Sequence, residues 1–324
     1  MLQTMESAEY EALVSGTGVV DFRGRTLIEL TGADAASFLH SFCTNDIKRL
    51  GPGQGCEAFI TSVQGKILGH VIVCREAERI VLDTVPDAAE KLMAHLDRYI
   101  IREQVTLADR SQEWGELLLG GAACPGVLAN HLGVALPESV WSSREGEFKG
   151  RAIVVQRVDP LLALPAFLLR AEAGAVTLLE DGLAGSAAVR CSEPTFDSVR
   201  MEAGWPLYGR DITEQNLPQE VDRDAVAISF TKGCYLGQET VARIDALGHV
   251  NRKLRGLKFA EGAAPAAGMP LMAGDKEVGA VTSAAYSPKL GRPLALGYVR
   301  RGHEAFAARL AAAHGEVEVI RLPV

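Results

Sequence analysis

From Ala58 to Ala108 the apolar residues order themselves as strand, strand, strand, helix, strand, and this order limits the fold more than any other feature of the chain. Ala58 to Val63 and Ile67 to Val73 flank Gln64-Gly65-Lys66 as the arms of a hairpin, and Arg79 to Thr84 supplies a third strand. Pro86-Asp87 starts a helix that carries Leu92, Leu96 and Tyr99 at helical spacing, and Val105 to Ala108 is the next strand. A parallel doubly wound sheet needs regular alternation of strand and helix. The pattern therefore selects an α+β arrangement and counts against a dinucleotide-binding fold.

Upstream, Val19 to Leu30 reads as two short strands around Phe22-Arg23-Gly24-Arg25, and Thr31-Gly32-Ala33-Asp34 opens a helix with Phe38, Leu39 and Phe42 inward. Downstream, strand candidates lie at Glu116 to Leu119, Ala152 to Gln156, Ala166 to Arg170 and Val176 to Leu179. Beyond about residue 250, Leu254 to Phe259, Glu277 to Thr282 and Ala295 to Val299 are short strands between Gly and Pro turns, which predicts a small β-barrel. One Ala-rich helix is expected there, from Glu304 to His314, with Gly315 as its stop. With 324 residues the chain exceeds one ordinary core. The expected division is an α+β region over 1–248, built of two interleaved subdomains, and a barrel over 249–324.

Composition excludes several classes of function. No stretch approaches the roughly 20 apolar residues that a membrane span requires. A formal charge of −8 repels a phosphate backbone, so direct nucleic-acid binding is not expected. The first eleven residues hold Glu6, Glu9 and Glu11 but no Lys or Arg, the wrong sign for a leader, which points to the cytoplasm. Six cysteines (Cys43, Cys56, Cys74, Cys124, Cys191, Cys234) lie far apart without C-x-x-C or zinc-finger spacing, so no metal site is expected and the thiols should be reduced.

The densest polar segment is Phe230-Thr231-Lys232-Gly233-Cys234-Tyr235-Leu236-Gly237-Gln238-Glu239, with amine, thiol, phenol, amide and carboxylate close together. Gly233 and Gly237 permit tight backbone geometry, so this reads as a shaped loop leading into a helix. Lys232 beside Cys234 could make the thiol reactive. The plainer alternative is a buried cysteine next to a solvated lysine.

Three further stretches accompany that loop: Arg200-Met201-Glu202-Ala203-Gly204-Trp205-Pro206-Leu207-Tyr208-Gly209-Arg210-Asp211-Ile212, then Asn216 to Glu220, then Ser287 to Val299. Together with Thr44-Asn45-Asp46-Ile47 and Leu50 to Gln54 they resemble the glycine-cleavage T-protein (aminomethyltransferase) superfamily, and the cysteine form of the loop resembles its YgfZ branch. Residues 111–190 carry no matching motif.

The resemblance implies a T-protein-like folate-binding N-terminal region with a barrel packed beside it, and tetrahydrofolate or a derivative as cofactor. Glu202 matches the family's pterin-binding carboxylate, which can accept paired hydrogen bonds from the pterin ring. Lys232, Tyr235, Gly237, Gln238 and Glu239 are carried over as cofactor-binding positions and Cys234 as the candidate catalytic residue. Tyr235 either stacks on the ligand or plugs a subdomain interface. Arg243, Arg252, Lys253, Arg255 and Lys258 form either an attractant for folate carboxylates or a solvated face.

Where aminomethyltransferases have a pair of acids, this chain reads Gly65-Lys66-Ile67-Leu68-Gly69-His70-Val71-Ile72-Val73, without a carboxylate. His70 is either a tentative cofactor contact or a satisfied core histidine. A second departure is Asp83-Thr84-Val85-Pro86, in place of an Asn-containing turn. The YgfZ resemblance implies a tetrahydrofolate-binding accessory factor for iron-sulfur cluster assembly or repair, which supports tRNA-modifying enzymes indirectly. Its partners would be reduced folate and iron-sulfur proteins or cluster-assembly factors. The alternative is a folate-dependent aminomethyl or one-carbon transferase. Glu202 and Cys234 are expected to border one cavity.

Overall fold

The computed structural model describes residues 2–133, 135–183, 186–313 and 315–324, except the side chains of residues 2–6 and 132. In chain order come α1 (Leu2–Val14), β1 (Thr17–Asp21), β2 (Thr26–Thr31), α2 (Ala35–His40), β3 (Gln54–Thr61), β4 (Ile67–Arg75), β5 (Arg79–Thr84), α3 (Ala89–Asp97) and β6 (Thr106–Asp109). They are followed by β7 (Trp114–Gly120), α4 (Cys124–Leu132), β8 (Ser143–Phe148), β9 (Arg151–Arg157), β10 (Ala166–Glu172), α5 (Ala173–Leu183), β11 (Ala188–Cys191) and α6 (Glu193–Ala203). After a 3-10 turn at Pro218–Val221 come α7 (Asp224–Ala227) and α8 (Gln238–Leu247). The last six strands are β12 (Arg252–Phe259), β13 (Pro270–Ala273), β14 (Lys276–Ser287), β15 (Arg292–Arg300), β16 (Arg309–Ala312) and β17 (Gly315–Ile320).

Three sheets result. A five-stranded sheet has the order β3-β4-β5-β2-β6, a six-stranded sheet the order β11-β1-β7-β10-β9-β8, and β12-β15-β14-β13-β16-β17 close into a barrel. The fold is the expected α+β class with a C-terminal barrel. Alternation along β7 shows how one strand feeds two cores. Leu118 packs with Leu13, Val20 and Leu168 towards α1 and α6, whereas Leu117 and Leu119 pack with Val176 and Leu179 towards α5. In the five-stranded sheet Phe38 and Leu39 of α2 and Leu92 and Leu96 of α3 cover Ile28, Leu82 and Val71.

The hairpin around Gln64-Gly65-Lys66 is present, with Phe59 opposite His70 in the β3–β4 register. The two short strands around residues 22–25 are also present, but in different sheets: β1 joins β7 and β11, whereas β2 joins β5 and β6. Two expectations are corrected. Val176 to Leu179 is part of helix α5, which buries Ala175, Val176, Leu179 and Leu183 at helical spacing. The helix expected from Glu304 to His314 is not formed; Arg309–Ala312 pairs with Gly315–Ile320 to close the barrel, and His314 lies outside the described residues. Tertiary pairing there overrides the helix propensity of alanine.

Candidate functional site

The segment Lys232 to Glu239 is a strap. Lys232 is buried and its ammonium donates to the carbonyl oxygens of Cys43 (2.7 Å), Asn45 (2.9 Å) and His40. The first of these acceptors along the chain, His40, is the last residue of α2, where backbone carbonyls have no helical partner, and the other two follow it. The strap is fixed again by Leu236, whose N–H donates to Ser41 O (2.9 Å) and whose carbonyl accepts the Thr61 hydroxyl (2.6 Å). Gly237 has φ +82°, and a Cβ there would lie 2.7 Å from Gly65 Cα and closer still to the Ser62 carbonyl oxygen. The glycine thus seats the strap on the β3–β4 turn before α8 begins at Gln238, whose side-chain oxygen accepts the Tyr235 N–H.

This arrangement distributes the expected site residues unevenly. Tyr235 is buried among Phe59, Ile67, Met201 and Val241, so it plugs an interface, and burial pushes its phenol above the ordinary range. The Lys232 ammonium faces three carbonyls and the Tyr235 ring, 4.8 Å from the ring centre. Cys234 is the exposed member of the six cysteines, the other five being buried. Glu239 is exposed in the first turn of α8. Of the basic residues after the strap, Arg252 pairs with Glu220, Lys253 and Arg255 with Asp222, and Lys258 with Glu318.

Glu202 sits elsewhere. Its buried carboxylate accepts hydrogen bonds from the Tyr10 hydroxyl (2.7 Å), the Lys289 N–H (3.2 Å) and the Ser287 hydroxyl, tying α6 to α1 and to the barrel. Burial and then the Glu202 bond hold the Tyr10 phenol above its ordinary range. Tyr10 and Lys289 also line a cleft of about 1230 Å³ between α1, α6 and β14, together with Val14, Asp197, Arg210 and Tyr286.

The expectation of one cavity bordered by Glu202 and Cys234 is not met in that cleft: neither side chain lines it, and Glu202 reaches it only through its donors Tyr10 and Lys289. Successive residues of a helix point about 100° apart. Met201 accordingly enters the same apolar cluster as Tyr235, while Glu202 turns to Tyr10.

His70 lies in a third place. Its Nε2 is 2.8 Å from Glu57 Oε1 on the neighbouring strand, and Glu57 takes both nitrogens of the Arg223 fork, Nη2 to Oε2 at 2.6 Å and Nε to Oε1. The His70 ring lies between Phe59 (5.1 Å) and Trp205 (4.9 Å), and Arg223 covers Trp205 at 4.6 Å. Burial favours a neutral Glu57, but the charge and hydrogen bonds of Arg223, with those of His70, outweigh it and hold the carboxyl at about 2. A carboxylate therefore does stand beside His70, supplied by β3 and not by β4. Glu57 and Arg223 are 166 residues apart, and only a charged residue within an apolar strand signalled the site.

The second departure in sequence is also buried. Thr84 donates its hydroxyl to His70 O at 2.6 Å, and Asp83 accepts Arg25 Nε at 2.6 Å. Asp83 lies near Glu116 of the other sheet, whose carboxylate is 3.7 Å from Arg170, itself paired with Glu76. Burial, followed by the charge of Asp83, raises Glu116 to about 8. Among the described residues no cluster of three or more His, Cys, Asp or Glu side chains could hold a metal ion, and no helix is long and apolar enough to cross a membrane.

Family comparison fits this architecture. A model of the GCVT N-terminal domain matches residues 2–159, and a model of the glycine cleavage T-protein C-terminal barrel domain matches residues 252–323. The chain belongs to the glycine-cleavage T-protein superfamily. Curated T-protein relatives include the aminomethyltransferase of Streptomyces avermitilis, 29% identical over 341 residues that span 98% of this chain and 89% of the relative. The aminomethyltransferase of Rubrobacter xylanophilus is 28% identical over 297 residues, 90% of this chain and 78% of its own. The crystal structure of the glycine cleavage system aminomethyltransferase T from Bartonella henselae superposes with a TM-score of 0.89 over 98% of this chain and 89% of that one, at 23% identity. The T-protein fold is thus shared across both the α+β region and the barrel.

Proposed function

We propose that this T-protein homologue binds a reduced folate and acts as a folate-dependent one-carbon transferase. The observation that carries the reading is Glu202: a buried carboxylate whose hydrogen-bond donors Tyr10 and Lys289 line a cleft of about 1230 Å³. The residues there fit a folate chemically. Glu202 Oε2 accepts one hydrogen bond, from Tyr10, and a carboxylate oxygen has room for two, so it can take a further donor from a pterin ring. Tyr10 and Tyr286 offer aromatic faces, and Arg210 and Lys289 offer cations for a glutamate tail. The volume exceeds what a drug-sized ligand needs. When bound, tetrahydrofolate supplies the carrier for the one-carbon unit. The chain's part is to hold the ring at Tyr10 and Lys289, behind which Glu202 lies, and to receive the tail at the cationic rim. The relatives named aminomethyltransferase support the same reaction class.

Thermal denaturation with and without tetrahydrofolate tests binding: ligand at ~100 times its dissociation constant stabilises by about 2.7 kcal/mol. Glu202→Gln should weaken that effect at least tenfold in ligand concentration. Absence of a shift at millimolar tetrahydrofolate removes the folate site. Production of methylenetetrahydrofolate from an aminomethyl donor tests the transferase, and no turnover by protein that binds folate would sink it.

A second reading is a cytoplasmic accessory factor of the YgfZ type for iron-sulfur proteins, through which tRNA-modifying enzymes are supported indirectly. Its specific support is the exposure of Cys234 on the strap, where a partner protein can reach it. It requires Cys234→Ala to fold normally yet fail to restore iron-sulfur enzyme activity in a deletion strain.

A further inference from the structure

The barrel borders a further concavity that none of the roles above uses. It encloses about 300 Å³ between the end of α6, the turn after the 3-10 segment and strands β12, β15 and β17. Its floor is apolar, made by the buried side chains of Val221, Leu254 and Leu296. Its walls hold three guanidinium groups, of Arg223, Arg255 and Arg321, and one carboxylate, of Asp222. That is a local excess of positive charge in a chain whose formal charge is −8. Each guanidinium also keeps a donor in reserve. Arg223 gives Nε and Nη2 to Glu57, and its Nη1 makes no hydrogen bond among the described residues. Arg255, whose side chain is 9% exposed, gives Nε to Glu304 O (2.9 Å) and Nη1 to Asp222 and to Leu254 O, which leaves Nη2. Arg321 has neither ion pair nor hydrogen bond among the described residues and lies over the Phe306 ring at 4.6 Å. Asp222 does not compete for these donors, because Lys253 holds its Oδ1 at 2.6 Å and Arg255 its Oδ2, and Glu304 does not line the cavity.

We propose that this cavity is a binding site for a small organic acid, a single carboxylate on a compact apolar body. The carboxylate takes hydrogen bonds from Arg321 and from Arg255 Nη2, and the apolar body rests on Val221, Leu254 and Leu296. The chemistry of the walls selects this class. A planar guanidinium fork matches a carboxylate in shape as well as in charge. Inorganic phosphate, polar on every side, leaves the apolar floor facing water. A neutral apolar ligand strips water from the guanidinium donors and returns no hydrogen bond. Larger ligands are excluded by size, since the volume lies at the lower end of the range for ligand pockets. Phe306, 43% exposed, underlies both Arg321 and Arg255, the latter at 5.1 Å, so the two forks are held at the rim and lose little freedom when the acid docks. The inference stands without the folate reading, because this cavity shares no lining residue with the cleft of Tyr10 and Lys289.

The test is fluorine NMR of para-fluorobenzoate titrated with the full-length protein. Line broadening should saturate with a Kd of about 1 mM or below. Para-fluorobenzamide has the ring without the charge, and fluoroacetate has the charge without the ring. Each should bind at least about tenfold more weakly than the benzoate. Arg321→Gln, at an exposed position, should weaken benzoate binding about tenfold while the circular dichroism spectrum is unchanged. Arg210→Gln, in the cleft beside Glu202, should leave the benzoate Kd as it is, so failure of this site and failure of the folate site are read separately. Absence of saturation up to about 10 mM, or equal binding of either analogue, overturns the proposal. A wild-type Kd in Arg321→Gln overturns it equally, and so does a loss caused by Arg210→Gln, since the acid then lies in the other cleft.

Discussion

Glu116→Gln should abolish a pH dependence of stability that is built into the junction of the two sheets. Glu116 is 1% exposed, its Oε2 has no hydrogen-bond partner, and its neighbours are Arg170, Asp83, Arg25 and Glu76. Arg25 is paired with Asp83, and Arg170 and Arg79 with Glu76, so the guanidinium groups nearest Glu116 already have carboxylate partners. In the folded chain Glu116 holds its proton to about 8, against an ordinary value of 4.5, with burial as the leading cause and Asp83 second. Between those two pH values the native state carries one proton more than the unfolded state at this site. Stability therefore falls as pH rises, by about 1.4 kcal/mol per unit at most. Full linkage over that interval is on the order of 5 kcal/mol, all of it present below the unfolded value and lost by the time pH passes the folded one. Glutamine imitates the protonated form. Urea unfolding midpoints of wild type and Glu116→Gln should therefore nearly coincide at pH 4.5, whereas the variant should be the more stable protein at pH 8.5. Taking the difference between the two proteins at each pH cancels the titrating groups that do not face Glu116, and leaves the site it shares with Asp83. Parallel curves, or a variant less stable than wild type at pH 8.5, would refute the account.

Two other substitutions probe the strap and the His70 centre. Gly237→Ala places a Cβ against the Ser62 carbonyl at φ +82°, and should lower unfolding free energy by about 3 kcal/mol; a loss under about 1 kcal/mol in urea titration contradicts the close packing. Arg223→Met leaves the buried Glu57 carboxylate without its fork, for a loss of about 3 kcal/mol in the same assay. Adding Glu57→Gln should recover part of that loss, and a further drop in the double variant would show that the pair is not the source.

Much of the architecture is written locally and the rest is not. The β3–β4 hairpin is legible because Gly65 and its polar neighbours interrupt two apolar runs, and the barrel strands because Gly and Pro separate them. The partners of β1 and β2 are illegible: fifteen residues hold both strands, yet β1 pairs with β7 and β11, far along the chain. Val176 and Leu179 belong to an apolar run that periodicity cannot assign when read alone, and only the inclusion of Ala175 and Leu183 exposes the helical face. Arg309 to Ala312 shows the opposite failure, a strong local helix preference overruled by two flanking strands. For the site, the strap was visible as a dense run of functional groups, but what Lys232 holds was not, since its three acceptors lie some 190 residues earlier. Glu57 and Arg223 escaped for the same reason.

The placement of the second to sixth strands between β1 and β7 also governs how this chain can mature on a ribosome. The five-stranded sheet uses only residues 26–109 and can assemble as soon as that stretch has left the exit tunnel. The strand at Thr17–Asp21, made earlier, must remain unpaired until Trp114–Gly120 arrives, and its other edge waits for Ala188–Cys191. During translation the oldest strand is therefore the last of the first six to find hydrogen-bond partners, and a nascent-chain stall near residue 110 would leave an open apolar edge for a chaperone to cover.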